Sequence, residues 1–446
     1  MEQFFHLKER GTTAGREVAA GITTFLAMAY ILAVNPGMLG VDAGMGFGAV
    51  FTATALSAAI ATLVMAFCAN LPIALAPGMG LNAFFTYTVV IGMGCPWQLA
   101  LTAVLVEGII FIVLSLFGIR SAIIRSIPAT LRKAVAVGIG LFITLIGLAN
   151  AGIAAGREAT GTIIGFVNLD SAPALAAVLG LIITIILYVR KIPGAILIGV
   201  AATTLIGIPF GVTKIPENFM AVSLPEAPLL FQFDFKGAVL DAGGQFSGLA
   251  LGKFFVILFT FLFTDMFDTI GTLMGVSEQA GLSDERGGIP NERGALLADA
   301  VGTVAGACLG TSTVTSFVES SSGVAAGGRT GLSSVVTAAL FLLALFFGNL
   351  FALIPSAATA PALIFVGFLM MKSVASIDFS DLTEGIPAFI TIMVMPFGYS
   401  IAKGIAWGII SYVICKLAGR KAKDVPVVTW ILAVVFIADI VFEAVK

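Results

Sequence analysis

The chain has 446 residues, 59% of them hydrophobic and only 11% charged, with a formal net charge of -2 and a mean hydropathy of +1.08, so the solvent it is built for is lipid rather than water. No basic patch is long enough to follow a phosphate backbone, which excludes a nucleic-acid partner. The single histidine, His6, lies in the N-terminal tail and excludes a membrane-embedded imidazole relay, leaving any proton work to Asp or Glu.

A helical crossing needs about 20 apolar residues. The first strongly apolar run begins near Gly21 behind a short charged stretch and has no small-residue cleavage site after it, so the first span is expected to stay in the protein. Spans are predicted near 17 to 36, 48 to 70, 98 to 119, 132 to 150, 172 to 190 and 193 to 211, then near 253 to 276, 294 to 309, 330 to 354, 356 to 373, 385 to 402 and 403 to 419. Two stretches in corresponding places, 71 to 91 and 310 to 328, are too short, too Gly-rich or too polar for ordinary spans and read as broken helices. The expectation is an all-α polytopic protein of about fourteen crossings, two sets of seven separated by the stretch 211 to 250. With the N-terminus inside, Arg120, Arg125, Arg132, Lys133, Arg190, Lys191, Arg286, Arg293, Arg329, Lys372, Lys416, Arg420, Lys421 and Lys423 all fall on the cytoplasmic side. An odd number of spans per half inverts the second relative to the first, and Ile127-Pro128 with Gly140 recurs as Ile354-Pro355 with Gly367, a short echo that carries little alone. In the tail from Val425 to Lys446, Asp439 and Glu443 share a helical face, which favours an interfacial helix over another crossing. Cys68, Cys95, Cys308 and Cys415 have no metal-like spacing and read as packing residues; neither a metal nor a cofactor is expected.

The strongest chemical signal is TFLFTDMFDTIGTLMGV, residues 260 to 276, with Asp265 and Asp268 in the middle of an apolar span. A charged carboxylate there costs about 2.5 to 3.5 kcal/mol even on the mildest insertion scale, so it must be paired, protonated or open to a cavity. A spacing of three puts both on one face, where they do not both ionise easily. Helix capping is the competing reading. Next is TSTVTSFVESSSGVAAGG, residues 311 to 328, where hydroxyls surround Glu319 and disfavour continuous helix. Small residues also permit tight helix packing, but a glutamate gains nothing from that. In the matching break LPIALAPGMGLNAFFTY, residues 71 to 87, Pro77 and Gly78 interrupt the backbone, Asn82 offers an amide, and Phe84 and Phe85 offer flat apolar area. A nucleobase presents complementary needs: N–H donors for carboxylates, ring acceptors for amides, and a planar face. Glu107 and Asp299 have structural readings at least as good as a transport role, and helix-dipole stabilisation accounts for Asp381 and Glu384.

APGMGLNAFF, DMFDTIGTLMGV and TSFVESSSGVAAGGRTGL together resemble the AzgA-type purine permeases of the nucleobase-ascorbate transporter superfamily, and the likeness runs from GITTFLAMAYILAVNPGML at 21 to 39 through DLTEGIPAFIT and MPFGYSIAKGIA. The resemblance implies two inverted repeats of seven helices divided into core and gate domains: core 1–119 and 250–354, gate 120–211 and 355–420, an extracytoplasmic linker 212–249, and a C-terminal interfacial helix 421–446. It implies a homodimer joined through the gate in the inner membrane, both termini cytoplasmic, taking up adenine, guanine or hypoxanthine with protons by an elevator movement. By the same likeness Asn82, Asp268, Glu319, Thr269, Ser320 and Phe85 would bind substrate, and Asp265, Asp268 and Glu319 would couple the proton. Rival readings are a uracil or xanthine carrier, an anion carrier on the same architecture, a passive channel, or a membrane enzyme using the aspartate pair, for which no nucleophile or metal-ligand motif is found.

Overall fold

The computed structural model describes residues 2–117, 128–156, 164–167, 169–216, 219–240, 244–282 and 289–444. Arg120, Arg125, Ile127 and Arg286 lie outside these residues, as do the side chains of Asp439 and Glu443.

Without water to satisfy backbone groups, an apolar chain forms helices wherever it can. Helix α1 (Ala14–Met28) stops at Ala29 and Tyr30, resumes over Ile31–Asn35 and widens across Pro36–Asp42, where Pro36 supplies no N–H. Then come α2 (Phe47–Val64), strand β1 (Leu75–Pro77), the short α3 (Met79–Ala83) that continues in wider turns to Gly92, and α4 (Trp97–Leu116). Helix α5 (Ala129–Asn150) leads into a small hairpin, β2 (Ala154–Gly156) and β3 (Ile164–Phe166), followed by α6 (Ala172–Val189) and α7 (Ala195–Gly207). The second half repeats the plan: α8 (Gly248–Gln279), α9 (Glu292–Leu309), β4 (Val314–Ser316), α10 (Ser320–Ala325), α11 (Gly331–Ala344), α12 (Ser356–Met371), α13 (Leu382–Phe397) and α14 (Ile401–Ala418). A last helix, α15 (Val427–Ala444), follows. Among the described residues, nine helical stretches are long and apolar enough to cross a membrane, and four shorter apolar helices accompany them.

The two expected breaks are strands, and they pair with each other. β1 runs antiparallel to β4 with Leu75 opposite Ser316 and Pro77 opposite Val314. Just outside the ladder Gly78 N donates to Thr313 O and Phe317 N donates to Ala74 O, both at 3.0 Å. Each strand's outer edge meets one threonine hydroxyl: Thr62 of α2 accepts from Leu75 N (2.9 Å) and donates to Leu75 O (3.2 Å), while Thr303 of α9 accepts from Val314 N (3.3 Å) and donates to Val314 O (3.1 Å). The same device, used once in each half, satisfies extended backbone inside the fold and marks the pseudo-twofold axis of the inverted repeat.

The glycine echo noted in the sequence falls on a helix crossing. A side chain at Gly140 of α5 would meet Gly367 O of α12 at 2.8 Å, and one at Gly367 would meet Gly140 O at 2.5 Å, so the two glycines let these backbones touch. Around that crossing α5, α6, α7, α12, α13 and α14 pack together; α1, α2 and α4 pack against α8 to α11. Helix α15 packs along α14, and its Phe436 ring meets Phe259 of α8 at 5.4 Å while Val427, Ile431 and Val434 face outward. Its described side chains therefore form apolar faces on both sides. The polar face expected of an interfacial helix rested on Asp439 and Glu443.

Candidate substrate site

Where the crossed strands meet α5 and α12 there is a cavity of about 240 Å³. Its two walls differ in chemistry. One comes from Tyr30, the start of α3 at Met79 and Gly80, Thr264, Asp268 and Thr272 of α8, and the stretch from Thr315 in β4 to Glu319; the other, from Val135, Ala136 and Ile139 of α5 and Val366, Leu369 and Met370 of α12, is apolar apart from Ser373 just beyond α12. A larger cavity of about 1070 Å³ reaches the α6–α7 turn at Lys191 and the end of α12 at Lys372, and shares Val318, Glu319 and Leu369 with the first.

Both carboxylates expected from the sequence line the smaller cavity. Glu319 sits at the start of α10, and the Tyr30 hydroxyl donates to its Oε1 at 2.6 Å, a length typical of an O–H donor on a carboxylate. Tyr30 is there because α1 breaks at Ala29 and Tyr30, and its side chain is fully buried. Asp268 projects from the middle of α8, with the Thr315 hydroxyl 3.4 Å from its Oδ2.

The other expected site residues lie behind this wall. Asp265 is buried away from the cavity: the Thr269 hydroxyl bridges it to Asp299, 3.0 Å from Asp265 Oδ1 and 2.5 Å from Asp299 Oδ1. The spacing in the sequence pairs Asp265 with Asp268, and the structure pairs it with Asp299 instead; a helical spacing of three puts two residues on the same side of α8, but the broad side of a buried helix faces more than one neighbour. Asn82 is committed at both ends, Nδ2 donating to Pro77 O at 3.3 Å and Oδ1 accepting from Ser312 Oγ. The Ser320 hydroxyl accepts from Ala74 N at 3.0 Å and so ties α10 to β1. Phe85 is fully buried and packs with Phe84 around Phe261, ring centroids 6.4 and 4.8 Å away. Glu107 receives the Thr313 hydroxyl at 2.6 Å, a structural bond to the strand crossing.

Among the cavity residues that sequence reasoning missed are Tyr30, Thr264 and Ser316. Tyr30 carried a readable signal, since a tyrosine in the middle of an apolar span needs a partner for its hydroxyl. Thr264 and Ser316 carried none, because threonine and serine are common in membrane helices and which of them faces a cavity is a matter of tertiary packing.

The permease-family model matches residues 15–407. This chain belongs to the permease family. The permease is 44% identical to the adenine permease AdeP of Escherichia coli over 99% of its own length and 96% of the relative's. It is 45% identical to the guanine/hypoxanthine permease PbuG of Bacillus subtilis over 99% and 100%. Among solved structures it resembles the transmembrane domain of a cyanobacterium bicarbonate transporter, BicA, with a TM-score of 0.61 at 16% identity, covering 91% of this chain and 96% of that one, a likeness of fold alone. The permease is a multi-pass membrane transport protein and not an enzyme.

Proposed function

We propose that the permease takes up purine nucleobases, among adenine, guanine and hypoxanthine, together with protons. The observation that carries this reading is the two-faced cavity: Asp268 and Glu319 on one wall, an apolar wall opposite, and a volume below the roughly 300–1,000 Å³ usual for drug-sized ligands. A one- or two-ring planar base has N–H groups for the carboxylates and flat faces for the α5 and α12 side chains. The names of two relatives, matched over nearly their whole length, supply the same class. An inorganic anion would instead meet two carboxylates, so the bicarbonate transporter's cargo does not follow from its fold.

In this reading α1–α4 and α8–α11 (1–119 and 250–354) form a core that moves as an elevator against a gate of α5–α7 and α12–α14 (120–211 and 355–420), with 212–249 as linker outside the cell and the gate as dimer interface. Both termini would be cytoplasmic and the membrane the inner one, with 421–446 as a peripheral helix. Asp268 and Glu319 accept from the base. Asn82, Ser320 and Phe85 act indirectly, holding the two broken helices that frame it. The coupling proton rests with Asp265: one Thr269 hydroxyl carries a single proton for two carboxyl acceptors, so a further proton on Asp265 or Asp299 makes both contacts hydrogen bonds. Neutralising buried charge before the core crosses the low-dielectric gate removes a cost of several kcal/mol.

The test is uptake of labelled hypoxanthine and adenine into proteoliposomes under an inward proton gradient, with and without a protonophore. Wild-type uptake should collapse with the gradient, and Asp268→Asn and Glu319→Gln should each lose most of it. Full gradient-driven uptake by both variants would sink the proposal.

A further inference from the structure

Two hydroxyls on the cavity wall have no part in the fold's own bonding. Thr264 and Ser316 both line the cavity and are 1% and 2% exposed, and neither side-chain oxygen has a hydrogen-bond partner among the described residues. Several hydroxyls close by are engaged: Tyr30 with Glu319, Thr315 with Asp268, Thr269 with Asp265 and Asp299, Thr313 with Glu107, Ser320 with Ala74 N. A buried hydroxyl without a partner is costly to keep, and a pair of them beside an empty space points to a ligand that completes them.

We propose that Thr264 and Ser316 bind the substrate directly, and that with Glu319 and Asp268 they form a site selective for 6-oxopurines over adenine. This rests on the nucleobase reading above and narrows it.

The argument is one of donors and acceptors. Tyr30 keeps its proton and donates it to Glu319 Oε1, because a phenol is a far weaker acid than a carboxylic acid, so the carboxylate remains an acceptor that a ligand N–H can also use. Asp268 adds a second acceptor on the same wall. A 6-oxopurine meets these with N1–H and an imidazole N–H, and guanine adds its 2-amino group beside N1–H, a further donor for the same acceptors. Its O6 and N7 are acceptors, which the Thr264 and Ser316 hydroxyls supply with protons. Adenine has a bare N1 where the oxopurine has N1–H, and that lone pair would face a carboxylate oxygen. An unpaired or opposed polar group discriminates far more strongly than a small change of shape.

The experiment measures equilibrium binding of guanine, hypoxanthine and adenine to the purified full-length permease, wild type, Thr264→Val and Ser316→Ala, together with thermal melting with and without each base. Hypoxanthine should bind the wild type at least about tenfold more tightly than adenine, and each variant should lose about five- to tenfold in hypoxanthine affinity, the worth of one hydrogen bond. The melting temperature of the empty variants should hold or rise, because an unsatisfied group has been removed, while the stabilisation by hypoxanthine shrinks. A structural role for these hydroxyls would instead lower the empty protein's melting temperature. Unchanged hypoxanthine affinity in both variants, or adenine bound as tightly as hypoxanthine, would overturn the proposal while leaving purine transport standing. A folded wild type that binds no purine would remove the functional reading and this assignment with it.

Discussion

Single residues carry this fold's chemistry because each buried polar group in a lipid-embedded protein must find a partner. Asp268 and Glu319 were legible in the sequence by the cost of a charge in an apolar span, a rule that needs no coordinates. Thr269 and Ser320, which the resemblance makes substrate-binding, follow the carboxylates in sequence, yet their hydroxyls serve Asp265, Asp299 and the Ala74 amide. Adjacent residues on a helix point about 100° apart, so sequence neighbourhood is a poor guide to a shared cavity. At the cytoplasmic end expected from the charges, Lys421 donates to Asp381 at 2.8 Å, and Asp381 caps α13 through Thr383 N. The Lys421 ammonium, then Thr383, holds the Asp381 carboxyl well below the usual carboxylate range, and Asp381 in turn raises Lys421 above its ordinary value. The depressed acid gives stability that is present above its unfolded pKa, near 4, and fades as pH falls toward the folded value; the raised lysine gives stability that fades only above about 10. The melting-temperature difference between wild type and Asp381→Asn should therefore be flat from pH 5 to 9 and shrink below pH 4, and a difference growing on acidification would contradict the assignment.

Elements obey a harsher rule, since extended backbone at membrane depth must be paired. Pro77, Gly78 and the serine-rich run around Glu319 announced two broken helices, but nothing local announced that β1 would pair with β4 or that Leu75 would face Ser316, because a ladder between strands so far apart in the chain is set by the whole packing. The threonines that complete the ladder were equally unreadable. Replacing Thr303 by Val keeps the shape and removes the partner of both Val314 N and Val314 O. It should cost about 1–3 kcal/mol for each group left unsatisfied, read as a lowered melting temperature in detergent. Ser316 and Thr264 give the opposite sign, so the three variants together separate framework hydroxyls from ligand hydroxyls. The glycine echo shows the converse: two glycines too few to weigh in the sequence become a contact once α5 and α12 cross at Gly140 and Gly367.

At the scale of the whole molecule, composition alone gave the lipid environment, and the odd number of spans per half gave the inversion. The division of labour between the walls came only with the coordinates, since polar residues at the break after α1, on α8 and between β4 and α10 meet apolar residues of α5 and α12 across one cavity. If those groups move against each other, Val318 on the first and Leu369 on the second, which line both cavities, lie where the movement passes. Joining Val318→Cys to Leu369→Cys with a short thiol cross-linker, in a background without the four native cysteines, should abolish uptake, and cleaving the link should restore it; full uptake by the linked protein would rule out relative motion there.

The central claim is that Glu319 and Asp268 receive the substrate in the cavity between these walls. Calorimetric titration of hypoxanthine into purified wild type, Glu319→Gln and Asp268→Asn tests it without membrane, gradient or turnover. The account predicts one site per chain in the wild type and a loss of at least about tenfold in each variant, since a hydrogen bond to a charged group is worth roughly 1.5–3 kcal/mol; wild-type affinity in both variants would contradict it.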